Sequence, residues 1–354
     1  LTVWLPVIIA ASIALGIFIG NHYLSISQGK KRSYSSGNKI NAILDIIDEQ
    51  YVDTVSMSKL VESTIPKIFS ELDPHSVYIP AEDASVVNEE LEGSFSGIGV
   101  SFNMQTDTIL VISVISGGPA EKAGLLPFDR IISINDSIFS GKKKNQGEIM
   151  KTLRGAKNST VKLGVQRGNS PELLYFDVTR GDVPVNSVDV SFEAAKGIGY
   201  IKVSKFARNT YNEFITAIAK LKQAGCTSFV IDLRGNTGGY MDAAINMINE
   251  FMPEGRLIVY TEGKSFPRSD VYANGTGTCK DAPIVVLTDE ISASASEIFS
   301  GAIQDNDRGT IIGRRTYGKG LVQTQMSLSD GSEMRLTIAR YYTPSGRCIQ
   351  KKYE

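Results

Sequence analysis

Three short segments of this sequence carry groups able to break an acyl bond. In Ser292-Ala293-Ser294-Ala295-Ser296-Glu297 an apolar strand gives way to a helix. A serine there is held on a tight turn with amides behind it, the setting of an acylating nucleophile. The same text reads equally as a helix cap, because serine is a favoured N-cap and Ser294 with Glu297 has capping-box spacing. A serine hydroxyl needs a base, and His22 and His75 are the only histidines. A Ser–His–Asp triad or a histidine-bound zinc would rest on His75 alone, which argues against both. Lysine can serve if burial lowers its pKa from ~10.4 to roughly 7–8. Lys319, alone between Gly318 and Gly320 ahead of an apolar strand, is the lysine so placed; an exposed turn lysine is the other reading. The third segment, Asp232-Leu233-Arg234-Gly235-Asn236-Thr237-Gly238-Gly239, joins a strand to a helix. Its glycines present N–H groups at a helix N-terminus, which suits a phosphate or a developing oxyanion. The phosphate loop G-x-x-x-x-G-K-[ST] is missing.

The elements that must position these groups follow from periodicity. From Gly197 onward short apolar strands (GIGYIKV, SFVIDLR, RLIVYTE, APIVVLTD, GTIIGR, VQTQMSL, MRLTIARYYT) alternate with helices at 212–224, 240–251 and 295–304. That alternation predicts an α/β layer fold over residues 182–354. Residues 93–181 read as strands and glycine turns with one helix at 147–153, a small β-rich domain. Residues 38–92 are helical in pattern, with Ile40, Ile43, Leu44 and Ile47 at three- and four-residue spacing. Leu72-Asp73-Pro74-His75-Ser76 breaks the second of these helices, since proline disfavours helix before it. The apolar stripe serves either dimerisation or packing onto its own core. Residues 22–37 form a polar linker.

Composition narrows the classes. Thirty-seven basic against 38 acidic side chains give a net charge of −1 over 354 residues, without the basic excess of a general nucleic-acid binder. Cys226, Cys279 and Cys348 are widely spaced; at most one bridge could form, Cys279–Cys348 being the conceivable pair, and free thiols fit as well. Residues 1–21 hold no formal charge, and about 20 apolar residues at ~1.5 Å rise match a ~30 Å hydrocarbon layer. This predicts an uncleaved membrane anchor, with a cleaved signal or a buried helix as alternatives. Lys30, Lys31 and Arg32 come after it and by charge alone favour a cytoplasmic side for the rest of the chain.

Gly97-Ile98-Gly99-Val100 lacks the third glycine and the helix of a dinucleotide site. It is either a plain strand-opening turn or an amide nest beside a strand edge that captures a peptide carboxylate. Ser116-Gly117-Gly118-Pro119-Ala120-Glu121-Lys122-Ala123-Gly124-Leu125, followed by Asp129-Arg130-Ile131-Ile132-Ser133-Ile134-Asn135, makes residues 93–181 closely similar to a PDZ domain. Phe128 stands where that family usually has glycine. The resemblance implies that a C-terminal peptide lies between the strand from Ile98 and the helix near Glu148–Leu153. It also makes Arg154, in Leu153-Arg154-Gly155, a sensor of bound peptide; membership of a solvated basic face is the alternative.

Taken in order, these motifs with Tyr341-Tyr342-Thr343-Pro344-Ser345-Gly346-Arg347 resemble the carboxy-terminal processing (tail-specific) serine proteases over residues 40–350. The 25-residue interval from Ser294 to Lys319 matches that family. The resemblance implies a crotonase-like protease core with an inserted PDZ domain, and Ser294 as nucleophile with Lys319 as base and then acid. Gln323 would orient the lysine, and Ala295 N–H with Gly238 or Gly239 would form the oxyanion hole. Thr237 stands where proline or glycine is usual. His75 is then left a structural role in the helical cap. No metal or cofactor is implied. The substrates would be proteins with an apolar C-terminus, and the catalytic part would lie in the periplasm or outside the cell. Family members usually continue past the position of Glu354, which implies a truncated core. A non-catalytic peptide-binding scaffold and a crotonase-like acyl-CoA enzyme are the competing functions; the second leaves the PDZ text without a purpose.

Overall fold

The computed structural model describes residues 36–105, 108–138 and 146–352, with Ile13, Leu15 and Gly16. The expected anchor at 1–21 and most of the linker therefore lie outside the described residues. Among the described residues no helix is long and apolar enough to cross a membrane. Contacts divide the chain into two units, Leu1–Lys67 and Ile68–Glu354. The first holds α1 (Ser36–Gln50) and all but the last residues of α2 (Met57–Ser70), the two helices expected from the isoleucine spacing.

In the second unit the chain turns at Asp73, whose Oδ1 accepts the N–H groups of His75 at 2.9 Å and Ser76 at 3.0 Å. Proline and this side-chain turn together end the helical stretch. The next segment departs from the helical reading of 38–92: before α3 (Ala81–Glu92) comes a strand, β1 (Val77–Ile79), paired antiparallel with β18 (Glu333–Tyr342). Three residues are too few to show a period, so the strand left no signal in the sequence.

The β-rich domain is suspended from a two-stranded ribbon, β2 (Ser94–Gly97) antiparallel to β9 (Gly181–Pro184). Within it β3 (Val100–Gln105), β4 (Thr108–Val114), β5 (Arg130–Ile134), β7 (Thr160–Gln166) and β8 (Leu174–Thr179) form one sheet in that order, with β6 (Ser137–Ile138) on β5. The sheet and the helices α4 (Pro119–Ala123) and α5 (Gln146–Leu153) enclose a core that includes Ile98, Val111, Ile131, Ile149 and Leu163. Phe128 has φ 70° and is 73% exposed. The turn keeps the left-handed backbone that glycine adopts without strain, with the ring turned to solvent.

The larger layer is a five-stranded sheet ordered β10 (Val188–Ala195), β11 (Ile198–Val203), β12 (Ser228–Asp232), β15 (Ile284–Thr288), β16 (Thr310–Gly313). From β11 on, its strands are parallel. α6 (Thr210–Gln223), α7 (Met241–Asn249) and α8 (Ala295–Asp305) connect its strands, and their apolar faces meet around Phe251. Its ring makes edge contacts with Phe214, Phe229 and Phe299 at 6.2–6.5 Å. A second sheet runs β1, β18, β13 (Leu257–Glu262), β14 (Ser269–Tyr272), with β17 (Leu321–Ser327) on β18. The predicted strands are present; β14 is an addition, and so is β10. It is an exposed edge strand, with Val190 at 48% and Phe192 at 51%, so no in–out alternation announced it. Cys226, Cys279 and Cys348 are all free thiols.

Candidate active site

Parallel strands put their following loops at one end of the sheet. β12 and β15 are neighbours, so the loop after Asp232 and the turn after Thr288 lie side by side. Together with Lys319 they line a cleft of about 1200 Å3.

The turn selects one of its three serines. Ser292 is fully buried, with its hydroxyl donating to the Leu233 carbonyl at 2.8 Å, and Ser296, equally buried, donates to the Asn236 carbonyl at 3.0 Å. Ser294 alone is partly exposed, and it faces the cleft. Its backbone has φ 55° and ψ −111°. An ordinary N-cap residue sits in the β region, whereas this geometry is that of the first central residue of a II′ turn, which glycine favours. The capping box is nevertheless formed, with Glu297 Oε2 accepting the Ser294 N–H at 2.9 Å. The cap reading and the nucleophile reading of the sequence are thus compatible. At its far end α8 is held by Asp305, which accepts from Ser345 N–H at 3.2 Å, Ser345 Oγ at 2.6 Å and the Arg347 guanidinium. The Thr343–Arg347 motif therefore fastens the helix that carries Ser294.

The glycine loop packs directly on that turn. A Cβ on Gly238 would lie 2.8 Å from Ser294 Cβ and 3.1 Å from Ala295 N, and one on Gly239 would lie 2.1 Å from the Phe206 carbonyl oxygen. Both glycines also have positive φ, 101° and 140°. Of the two, Gly238 spends its N–H on Asn236 Oδ1 at 2.8 Å. Gly239 N–H, like that of Ala295 at the first position of α8, has no hydrogen-bond partner among the described residues. The buried Asn236 is the hub: its amide donates to the Val203 carbonyl at 3.0 Å and its own carbonyl accepts the Ala293 N–H at 3.0 Å. Nothing in the local sequence hints at this, because asparagine in a glycine-rich loop normally means only a turn. Asn236→Ala leaves the Val203 carbonyl and the Gly238 N–H unpaired inside the protein. It is expected to lower stability by about 2 kcal/mol and to slow catalysis, read from the thermal midpoint and kcat.

Lys319 comes from the loop between β16 and β17, partly buried, and among the described residues no carboxylate forms an ion pair with its ammonium. Burial pushes its pKa down, the nearby Arg335 guanidinium adds to this, and Asp73 partly opposes it. The flanking glycines have a steric purpose. A Cβ on Gly318 would lie 2.7 Å from Lys351 Cβ, and one on Gly320 would lie 2.3 Å from Gln350 N, so residues 349–351 close over the loop only without side chains there.

Gln323 lines the same cleft, and its amide N–H2 donates to the backbone carbonyl of His75. The segment 72–76 is thereby part of the site and not merely a helix stop. The imidazole of His75 is held below its usual pKa by burial first and by the Lys319 charge second. The part His75 plays through its backbone carbonyl remains structural, and its turn links Gln323 to the chain before β1. Arg154 reaches the cleft from the PDZ side, half-buried, with its guanidinium 4.5 Å from the centre of the Phe95 ring. That placement is not a solvated basic face. Gly97 closes β2, and Ile98 and Gly99 lead into Val100 at the start of β3. Their carbonyls are tied inward, Ile98 to Ala120 N–H at 2.7 Å and Gly99 to Ile115 N–H at 2.9 Å. Among the described residues β3 itself has a strand neighbour on one side only.

Comparison with known proteins gives the family of the chain. Residues 197–353 match the model of peptidase family S41, and residues 96–190 match that of the PDZ domain. The carboxy-terminal processing protease CtpB of Bacillus subtilis is 35% identical over 318 residues, 89% of this chain and 66% of the relative. A probable CtpA-like serine protease of Staphylococcus aureus is 33% identical over 355 residues, 99% of this chain and 70% of the relative. Among solved structures, a photosystem II D1 C-terminal processing protease superposes with a TM-score of 0.50 at 28% identity, covering 90% of this chain and 91% of that one. The chain spans about two thirds of the length of the curated relatives it matches. With an S41 core, an embedded PDZ domain and relatives of this identity, the chain belongs to the carboxy-terminal processing serine proteases of peptidase family S41.

Proposed function

We propose that the chain is a serine endopeptidase that holds the C-terminal tail of a protein substrate in its PDZ domain and cleaves through an acyl-enzyme on Ser294. The observation that carries this reading is the backbone of Ser294: a non-glycine residue kept in a glycine-type conformation, beside two serines whose hydroxyls are already engaged. Strain of this kind persists where the surroundings over-determine it, as at active sites.

The chemistry follows from the groups in the cleft. Neutral Lys319 takes the Ser294 hydroxyl proton as Oγ attacks the scissile carbonyl carbon. The oxyanion that forms accepts from Gly239 and Ala295 N–H, with Gly238 setting the approach of the loop. On collapse the C–N bond breaks and the Lys319 ammonium protonates the departing amine. Water, deprotonated by Lys319, then attacks the ester; the ester C–O bond breaks and Ser294 recovers its proton. Gln323, with its N–H2 directed to His75, keeps Oε1 as an acceptor for the lysine ammonium.

For the tail, the open edge of β3 offers a strand's worth of backbone groups, and the Gly97–Val100 turn lies at its start, where a terminal carboxylate would dock. Arg154, between the PDZ domain and the cleft, is the residue through which an occupied groove would be felt. The apolar run 1–21 would anchor the chain with its catalytic part in the periplasm or outside the cell. Activity of a cytoplasmic-only reporter fused after Arg32 would contradict that orientation.

The test is cleavage of an unfolded protein ending in apolar residues, as the free acid and as the C-terminal amide. The acid is expected to be cut at least about tenfold faster at low concentration, since the amide lacks the charge the nest would hold. Equal rates would remove tail recognition from the proposal. Tail binding without any cleavage would instead favour a peptide-binding scaffold.

A further inference from the structure

The carboxylate of Glu297 does more than cap a helix. Oε2 accepts the N–H of Ser294 at 2.9 Å and also the N–H of Lys319 at 2.8 Å, and Oε1 accepts the N–H of Gly318 at 2.7 Å. The side chain is almost sealed, with Glu297 4% exposed. One carboxylate thus receives three backbone donors from two turns, one of them beginning at Gly318, 21 residues beyond Glu297 in sequence. Two are consecutive amides of the Gly318–Lys319 turn, the concave arrangement that suits an anion. The third belongs to the strained residue of the opposite turn. A second tie, Tyr317 N–H to the Ser292 carbonyl at 3.0 Å, runs parallel to it.

From this geometry we infer that Glu297 is a positioning residue for catalysis, fixing the turn of the nucleophile against the turn of the base. The inference rests on the proposed Ser294–Lys319 dyad. Neither loop is regular structure, and each must hold its side chain to within a fraction of an ångström for proton transfer and attack to coincide; a displacement of about 1 Å can cost on the order of 10²-fold in rate. A carboxylate is suited to the task because both oxygens only accept, so one group can serve donors on two sides. Glu297 reaches no position in the cleft itself, so its contribution falls on the turnover step and not on substrate binding.

Three substitutions separate positioning from folding. Glu297→Asp keeps the charge and the cap at Ser294 but is one methylene too short to span both loops. Glu297→Gln keeps the shape and one accepting oxygen, and turns an N–H2 toward one of the donors. Glu297→Ala removes every contact. On the full chain with a peptide substrate, Glu297→Asp is expected to fold, to leave KM within about twofold, and to lower kcat by roughly 10–10²-fold. Glu297→Gln should fall between Asp and wild type, and Ala should be slowest. Folded Asp and Gln variants with kcat within twofold of wild type would overturn the inference. So would a loss confined to KM, or unfolding of all three, which would make the carboxylate a requirement of the fold alone. Ser294→Ala, run alongside, keeps the two levels apart: if it still cleaves, the dyad reading fails, whereas if it is silent and the Glu297→Asp and Glu297→Gln variants turn over within twofold of wild type, only the positioning role fails.

Discussion

Ser294→Ala is expected to lose peptide cleavage by on the order of 10⁴-fold or more, with folding unchanged, and Ser294→Gly is expected to be equally silent yet more stable than wild type. The first effect follows from removing the hydroxyl of the turn that, unlike those of Ser292 and Ser296, donates to no buried carbonyl. The second is the sharper test. At φ 55° and ψ −111° a Cβ is crowded by the backbone, and glycine is not. Strain of this type costs about 1–3 kcal/mol, part of which glycine returns as greater entropy of its unfolded chain. The net gain should be about 1 kcal/mol, seen as a higher thermal midpoint. If glycine lowers the midpoint, the conformation is not strained, and the main structural argument for Ser294 is lost. Alanine, which keeps its Cβ, should melt close to wild type.

Lys319→Met should lower kcat by roughly 10²–10⁴-fold, the range for losing a general base, and it too should stabilise the protein at neutral pH. Burial holds the amine below its ordinary value, with Arg335 adding to it. The unfolded chain therefore binds more protons between the folded and unfolded pKa values, and stability rises with pH across that window. Below the folded pKa the cost of a buried ammonium is present in full, and methionine removes it. The same shift sets the direction of the rate profile. In the proposed dyad only the neutral amine can accept the Ser294 proton, so kcat/KM should rise with pH through a midpoint below 10.5 and then level off. Arg335→Gln takes away a cation that disfavours the ammonium. It should move the rising limb to higher pH, so that activity falls at neutral pH and recovers in alkaline buffer. A limb that stays in place would mean that burial alone sets the lysine.

Much of this site was legible because its parts are short and local. The Ser292–Glu297 turn, the Asp232–Gly239 loop and the Gly318–Gly320 pair each follow or precede an apolar strand, and motif and period together located them. What the sequence could not carry is how local groups are spent in three dimensions. Gly238 and Gly239 are equal as text, and only the Asn236 side chain distinguishes them by occupying one N–H. Glu297 reads as half of a capping box, and its other two donors come from a loop that nothing local connects to it. Asp73-Pro74-His75 reads as a helix stop, yet its carbonyl reaches Gln323 from 248 residues away. β10 escaped for a simpler reason: a strand exposed along its length has no buried face to produce a pattern.

The ribbon of β2 and β9 has a meaning for how such a protein could have arisen. Ser94 pairs with Pro184 and Gly97 with Gly181, so the chain leaves the core and returns to it through neighbouring strands, about 5 Å apart. To the core, everything between those strands has the dimensions of one hairpin turn. A recognition module could be acquired there, exchanged for another with different taste in tails, or lost, without breaking a single contact among the strands that carry Ser294 and Lys319. Cutting and choosing are written in separable stretches of one gene.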